Sequence, residues 1–138
     1  KIKSSLLIRN VIKLKAKVLQ IKIIKKNEFV GYNQTYKTSK KTKIAIIGIG
    51  YGDGIPRNLS NIGFVFYKKQ KFRIIGRISM DSLTIDINKI KNKIEVGNYM
   101  ELINDKYDIE KFAKISNSLN REILTRISSR VERIYISE

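Results

Sequence analysis

From Ile12 to Val18 apolar residues alternate with Lys13, Lys15 and Lys17, the period of a strand with one face buried and one in water. The alternation changes phase at Leu19, Ile21 and Ile23, so a β-bulge is predicted near Val18 to Leu19. "KKNEF" reads as a turn, Lys43 to Ile49 as a buried strand and "GFVFYKKQKFRIIG" as a hairpin. "SLTIDI" alternates again, and "VGNYMELI" supplies one more strand after the polar connection "INKIKNK". A helical stripe stands out in "DIEKFAKISNSL", with Asp108 as N-cap and Ile109, Phe112, Ala113 and Ile115 on one face. The closing "EILTRISSRVERIYIS" fits helix or strand, with extended structure expected near "RIYIS". Short strands with turns between them predict a mainly β fold: a small closed or partly closed β-barrel with one short helix. No internal repeat, low-complexity linker or second-domain boundary interrupts it.

A chain of 138 residues is long enough for one buried core and too short for two ordinary ones. It has neither Cys nor His, which removes disulfides, thiolate or imidazole zinc sites, cysteine nucleophiles and every His-based triad. Proton transfer therefore falls to Tyr, Lys, Asp or Glu, and no metal is expected. The net charge of +17 invites a polyanion partner, because clustered Lys and Arg release phosphate counterions. Lys is instead spread through nearly every segment, beside abundant Ile and Asn, a joint bias that an AT-rich genome produces equally well. No stacking strand of the K-G-F-G-F type appears, so no specific nucleic-acid partner is expected. No window approaches a membrane span, and the opening "KIKSSLLIRNVIKLKAKV" carries too many charges for a signal peptide. A cytoplasmic protein without a membrane partner is the expectation.

The stretch "IAIIGIGYGDGIPR" looks at first like a phosphate cradle. A dinucleotide-binding turn needs a third glycine where the helix packs. Counted from Gly48 that place is Asp53, and counted from Gly50 it is Ile55. No Lys-Ser or Lys-Thr follows to make a P-loop. The glycines serve some other purpose.

Four motifs in order suggest that purpose: "FVGYNQTY" with Gly31-Tyr32, "IGYGDGIPR" from Ile49 to Arg57, "IIGRISMD" ending at Met80-Asp81, and "REILTRISSRVERIY". Together they resemble the carboxy-terminal domain of the alanine racemase family, from about Val11 onward. The resemblance implies residues 1–10 as the remnant of an interdomain connection and 11–138 as the β domain. In that family a pyridoxal-phosphate-bearing TIM barrel comes first, and a head-to-tail homodimer completes each active site. The resemblance makes Tyr32 one of two acid/base groups on opposite faces of the cofactor, the other being the barrel's cofactor-bearing lysine. A free phenol has a pKa of about 10, so helpers from the barrel are needed to favour its phenolate. "GYGDG" is implied to turn at the mouth of the partner's barrel, presenting Tyr51 to the substrate and Arg57 to its approach. Met80 stands where the family uses a backbone amide near the substrate carboxylate; Arg77 and Asp81 flank it along the access path. On structural grounds alone, Tyr32 is a core aromatic and Arg77 and Asp81 an exposed ion pair. Arg126, Arg130 and Arg133 read as exposed charges.

Two residues depart from the family pattern. Arg121 stands where many members have a tyrosine that holds the cofactor phosphate; arginine meets phosphate by charge and a forked pair of donors. Asn33 replaces the usual glycine after the tyrosine and tolerates left-handed geometry. No βα alternation precedes Val11 and no segment resembles the cofactor-lysine motif, so the chain reads as the carboxy-terminal part of a racemase acting on a small amino acid, inactive alone. A basic β-barrel that binds nucleic acid non-specifically and an inactive folded remnant stand as alternatives.

Overall fold

The computed structural model describes residues 11–137. Eight strands are present: β1 (Leu14–Ile24), β2 (Phe29–Val30), β3 (Tyr36–Lys37), β4 (Thr42–Ile47), β5 (Phe64–Tyr67), β6 (Gln70–Arg73), β7 (Leu83–Asp86) and β8 (Tyr99–Ile103). Six form an antiparallel sheet in the order β6-β5-β8-β1-β4-β7, and β2 and β3 pair separately. A bridge between Ile74 and Ile85, with Ile75 N–H donating to Thr84 O at 2.9 Å, brings the sheet's two ends together. The result is the partly closed barrel that the short alternating strands predict.

β1 can serve both halves of the sheet because it is long and broken. It pairs with β8 through its first residues and with β4 through its last, with the register slipping between Val18 and Gln20. Before the slip Leu14, Ala16 and Val18 point into the core; after it Ile21 is half-buried, while Leu19 and Ile23 face outward, 54% and 58% exposed. The bulge lies where the phase change places it, but it does not bury all three residues of the second phase. Val18, Ala45, Ile47, Val65, Phe72, Ile85, Met100 and Leu102 form the centre of the core. Apart from the small Ala45, each such side chain stabilises the fold by about 1.5–3 kcal/mol relative to exposure. The β5–β6 turn places Lys68 and Lys69 at φ 45° and 68°, the double left-handed geometry whose twist suits a two-residue hairpin.

The outer layer has two helices rather than one. In α1 (Ile109–Ile115), Asp108 caps the start by accepting from Lys111 N–H at 3.0 Å, and Phe112 and Ala113 are buried. The second, α2 (Asn120–Arg126), settles the first half of the closing segment, which fits helix or strand, as helix: it buries Ile123 and starts at Leu119 without a side-chain cap. Beyond it the "RIYIS" stretch joins no strand, and Ile134, Tyr135 and Ile136 are exposed.

A smaller cluster of Ile24, Val30, Ile44 and Ile75, with Tyr36 against it, supports the β2–β3 hairpin. Buried Thr38 stitches its base, accepting from Glu28 N–H at 3.0 Å and donating to Lys25 O at 2.6 Å. That hairpin carries Tyr32.

Candidate active site

The glycine turn spends its amides on the protein. Gly50 N–H donates to Asp53 Oδ2 at 2.9 Å, Tyr51 N–H to Ser79 O at 3.0 Å and Gly52 N–H to Met80 O at 2.8 Å. Asp53 N–H turns back to Gly50 O and Gly54 N–H to Tyr51 O. With every N–H from 50 to 54 committed and a carboxylate inside the turn, nothing is left to cradle a phosphate. Glycine is required here by proximity: a Cβ at position 50 would strike the Ser79 and Met80 backbone, and Gly54, at φ 109°, lies against the Arg126 carbonyl.

Tyr32 sits in a short 3-10 turn, Tyr32–Gln34, entered through Gly31 at φ 76°. The ring is 68% exposed, so it is not a core aromatic. Asn33 and Gln34 lie at φ 58° and 51°, and Asn33 thus takes the left-handed conformation its side chain tolerates. The turn is backed by Gly76 and Arg77, and Asn61 ties the two together. Its Oδ1 accepts from Gly76 N–H at 2.7 Å, its O accepts from Arg73 Nε at 2.8 Å, and its Nδ2 donates to Thr35 Oγ1 at 3.3 Å.

Beside the Tyr32 turn lies a groove of about 420 Å³ lined by Thr35, Arg57, Asn58, Ser60, Asn61 and Arg77. It holds two guanidinium groups and no carboxylate, a lining suited to a small carboxylate. Arg57 also lies 5.3 Å from the centre of the Tyr51 ring, a cation–π contact, and borders a second groove with Tyr51 and Arg126. Tyr51 and Met80 are 44% and 51% exposed, joined through the Tyr51–Ser79 and Gly52–Met80 hydrogen bonds. The Met80 N–H has no acceptor among the described residues.

Arg57 and Arg77 therefore meet beside the Tyr32 turn, and Tyr51 and Met80 meet beside the glycine turn. Asp81 faces elsewhere: its partner is Arg130, not Arg77. Arg121 lies exposed on α2 and its guanidinium pairs with no group among the described residues. Sequence alone leaves Asn61 unmarked, meets Asp53 only where a third glycine is wanting and takes Arg130 as an exposed charge, although an acid inside a glycine turn is a usable signal for the second. No group of acidic side chains able to hold a metal occurs among the described residues.

The model of the family described as "Alanine racemase, C-terminal domain" matches residues 11–135. The chain belongs to the alanine racemase family. An alanine racemase of Brucella ovis is 37% identical over 127 residues, which are 91% of this chain and 32% of that protein. One from Rickettsia typhi is 34% identical over 137 residues, 99% of this chain and 34% of the relative. Among solved structures, the alanine racemase of Bartonella henselae with covalently bound pyridoxal phosphate superposes with a TM-score of 0.87 at 40% identity, covering 90% of this chain and 34% of that one. The chain spans about a third of the alanine racemases it matches and corresponds to their carboxy-terminal domain.

The cofactor held by the Bartonella alanine racemase carries a phosphate, and Arg121 is a group of the kind that meets one. The Arg121 guanidinium, which pairs with no group among the described residues, has the charge and the planar fork for phosphate oxygens. The residues present fit a minor share of such a site.

Proposed function

We propose that this chain is the carboxy-terminal part of a cytoplasmic, pyridoxal-phosphate-dependent racemase that interconverts L- and D-alanine. It acts in a head-to-tail homodimer, where Tyr32 and the arginine-lined groove complete the partner subunit's barrel. The observation that carries this reading is the exposed Tyr32, held on a turn that glycine contacts fix against Arg77 beside that groove.

Racemisation needs a proton removed from one face of Cα and returned to the other. When bound, the cofactor supplies the electron sink for the pair left at Cα. Tyr32 serves one face, its hydroxyl taking or giving the α-proton, and the barrel's lysine serves the other. Arg57 and Arg77 draw the amino acid's carboxylate through the groove, where no acid opposes it. Met80 N–H is the backbone donor for that carboxylate, and the Tyr51 ring, braced by Arg57, narrows the approach. Asp81 orders the loop beside Met80, and Arg121 meets the cofactor phosphate. The chain without its barrel is inactive.

Replacing Tyr32 by Phe in the barrel-bearing enzyme tests this reading. Racemisation falls about 10²- to 10⁴-fold, while in deuterated water α-proton exchange from D-alanine survives better than exchange from L-alanine. Near-wild-type turnover by the variant sinks the assignment.

A further inference from the structure

We infer that Arg130 is a positioning residue, clamping the Gly50–Gly54 turn to the Ser79–Asp81 loop and thereby fixing where Tyr51 and Met80 stand. Its guanidinium reaches two carboxylates from different parts of the chain. Nε lies 3.4 Å from Asp53 Oδ1, and Nη2 pairs with Asp81 Oδ1. Asp53 is itself the inner brace of the glycine turn, since its other oxygen accepts from Gly50 N–H. Only 13% of the Asp53 side chain is exposed, so its part of the clamp is sheltered from water.

The segment that delivers Arg130 is pressed onto the turn by its own backbone. Ser128 N–H donates to Asp53 O at 3.0 Å, and the Arg126 carbonyl lies against Gly54. Arg130 N–H donates to Ser128 Oγ at 3.3 Å, and Val131 packs on the core. The guanidinium packs directly over Gly52, where a Cβ would meet both Arg130 Nη1 and the Met80 carbonyl oxygen. Arg133, by contrast, folds back on the carbonyls of Ile127, Ser128 and Val131 and touches neither loop. One fork thus gathers two carboxylates that would otherwise repel, and the amides of Tyr51 and Gly52 keep their places on Ser79 O and Met80 O. Lysine, a single point of charge, cannot span both acids.

Hydrogen exchange at single-amide resolution tests the clamp in this chain. In Arg130→Met the amides of Gly50, Tyr51, Gly52 and Ser128 exchange about three- to fivefold faster, and Arg130→Lys gives an intermediate gain. The sheet amides of Val18 and Ile87, bonded to Asn98 O and Lys43 O, keep their rates. Unchanged exchange at the turn, or equal acceleration in the sheet, overturns the inference. The consequence for substrate rests on the racemase reading: in the barrel-bearing enzyme Arg130→Met raises KM for alanine more than it lowers kcat, and an unchanged KM overturns that part. A wild-type barrel-bearing enzyme that does not racemise alanine defeats the proposed function instead, and leaves the exchange result standing.

Discussion

Gly31 and Gly76 lie backbone against backbone, and neither position has room for a Cβ. One added at Gly31 would sit 2.6 Å from Arg77 N, and one added at Gly76 would sit 2.5 Å from Val30 O. Both residues have φ near +75°, so space and dihedral demand glycine together. The contact fixes the Tyr32 turn relative to Arg77.

Gly76→Ala forces these backbones apart. The expected cost is on the order of 1–3 kcal/mol, read as a lower urea midpoint with an unchanged slope. In the barrel-bearing enzyme the same variant loses activity beyond what lowered stability explains at temperatures where it remains folded, because the Tyr32 turn has moved. A midpoint equal to that of wild type shows that the contact is looser than described.

Tyr107 offers a test of the core. Its ring packs 4.9 Å from Phe66 and 6.5 Å from Phe112, and its hydroxyl is buried with no partner among the described residues. Burial pushes its pKa from 10.0 up to about 12. Between those values the unfolded chain releases the proton and the folded chain keeps it. The contribution to stability is therefore whole below about pH 10 and is lost as pH rises through about 12, on the order of 1–3 kcal/mol in total. Tyr107→Phe is expected to unfold at about the same or higher urea concentration at pH 7, and to show a shallower loss of stability from pH 10 to 12. A lower midpoint at pH 7 means that the hydroxyl has a partner.

The chain by itself is expected to retain no pyridoxal phosphate after dialysis and to leave L-alanine unchanged. Arg121 is one cation, and the turn amides that would suit a phosphate are already bonded within the protein. A cofactor absorbance that survives dialysis, accompanied by turnover, disproves this division of the site.

The charge of +17 predicts weak, sequence-independent binding to DNA or RNA that fades between low and physiological salt. The sheet surface does place Lys17 over Tyr99 and Lys71 over Phe64, so stacking on these rings is the specific alternative. Titration of a single-stranded oligonucleotide at two salt concentrations separates them. Tight, selective binding at physiological salt favours the nucleic-acid reading.

Sequence pattern reveals most where one face is wet. Lys13, Lys15 and Lys17 mark β1 because their neighbours Leu14, Ala16 and Val18 are buried, and Asp108 marks α1 because its carboxylate caps the helix. α2 leaves no such trace: its start has no side-chain cap, Ile123 alone is buried, and Leu124 is 40% exposed. The same division runs through the site. Gly31-Tyr32 and the glycine turn are local motifs that a reader of the sequence can find. Arg130 is not, since its partner Asp81 is 49 residues away and its own surroundings resemble any exposed arginine.

Because Ser128 and Arg130 secure a turn whose glycines were made far earlier, the order of synthesis matters. The barrel strands and the turn leave the ribosome first, and at about 5–20 residues per second the segment that braces them follows only after several seconds. During that interval the core can assemble, since Ile47, Val65, Ile85 and Leu102 are all already present. The substrate-facing turn cannot yet be held. A chain cut short before residue 128 thus keeps every strand of the sheet but lacks the brace, and it is there that a chaperone or protease meets the Tyr51 turn at its loosest.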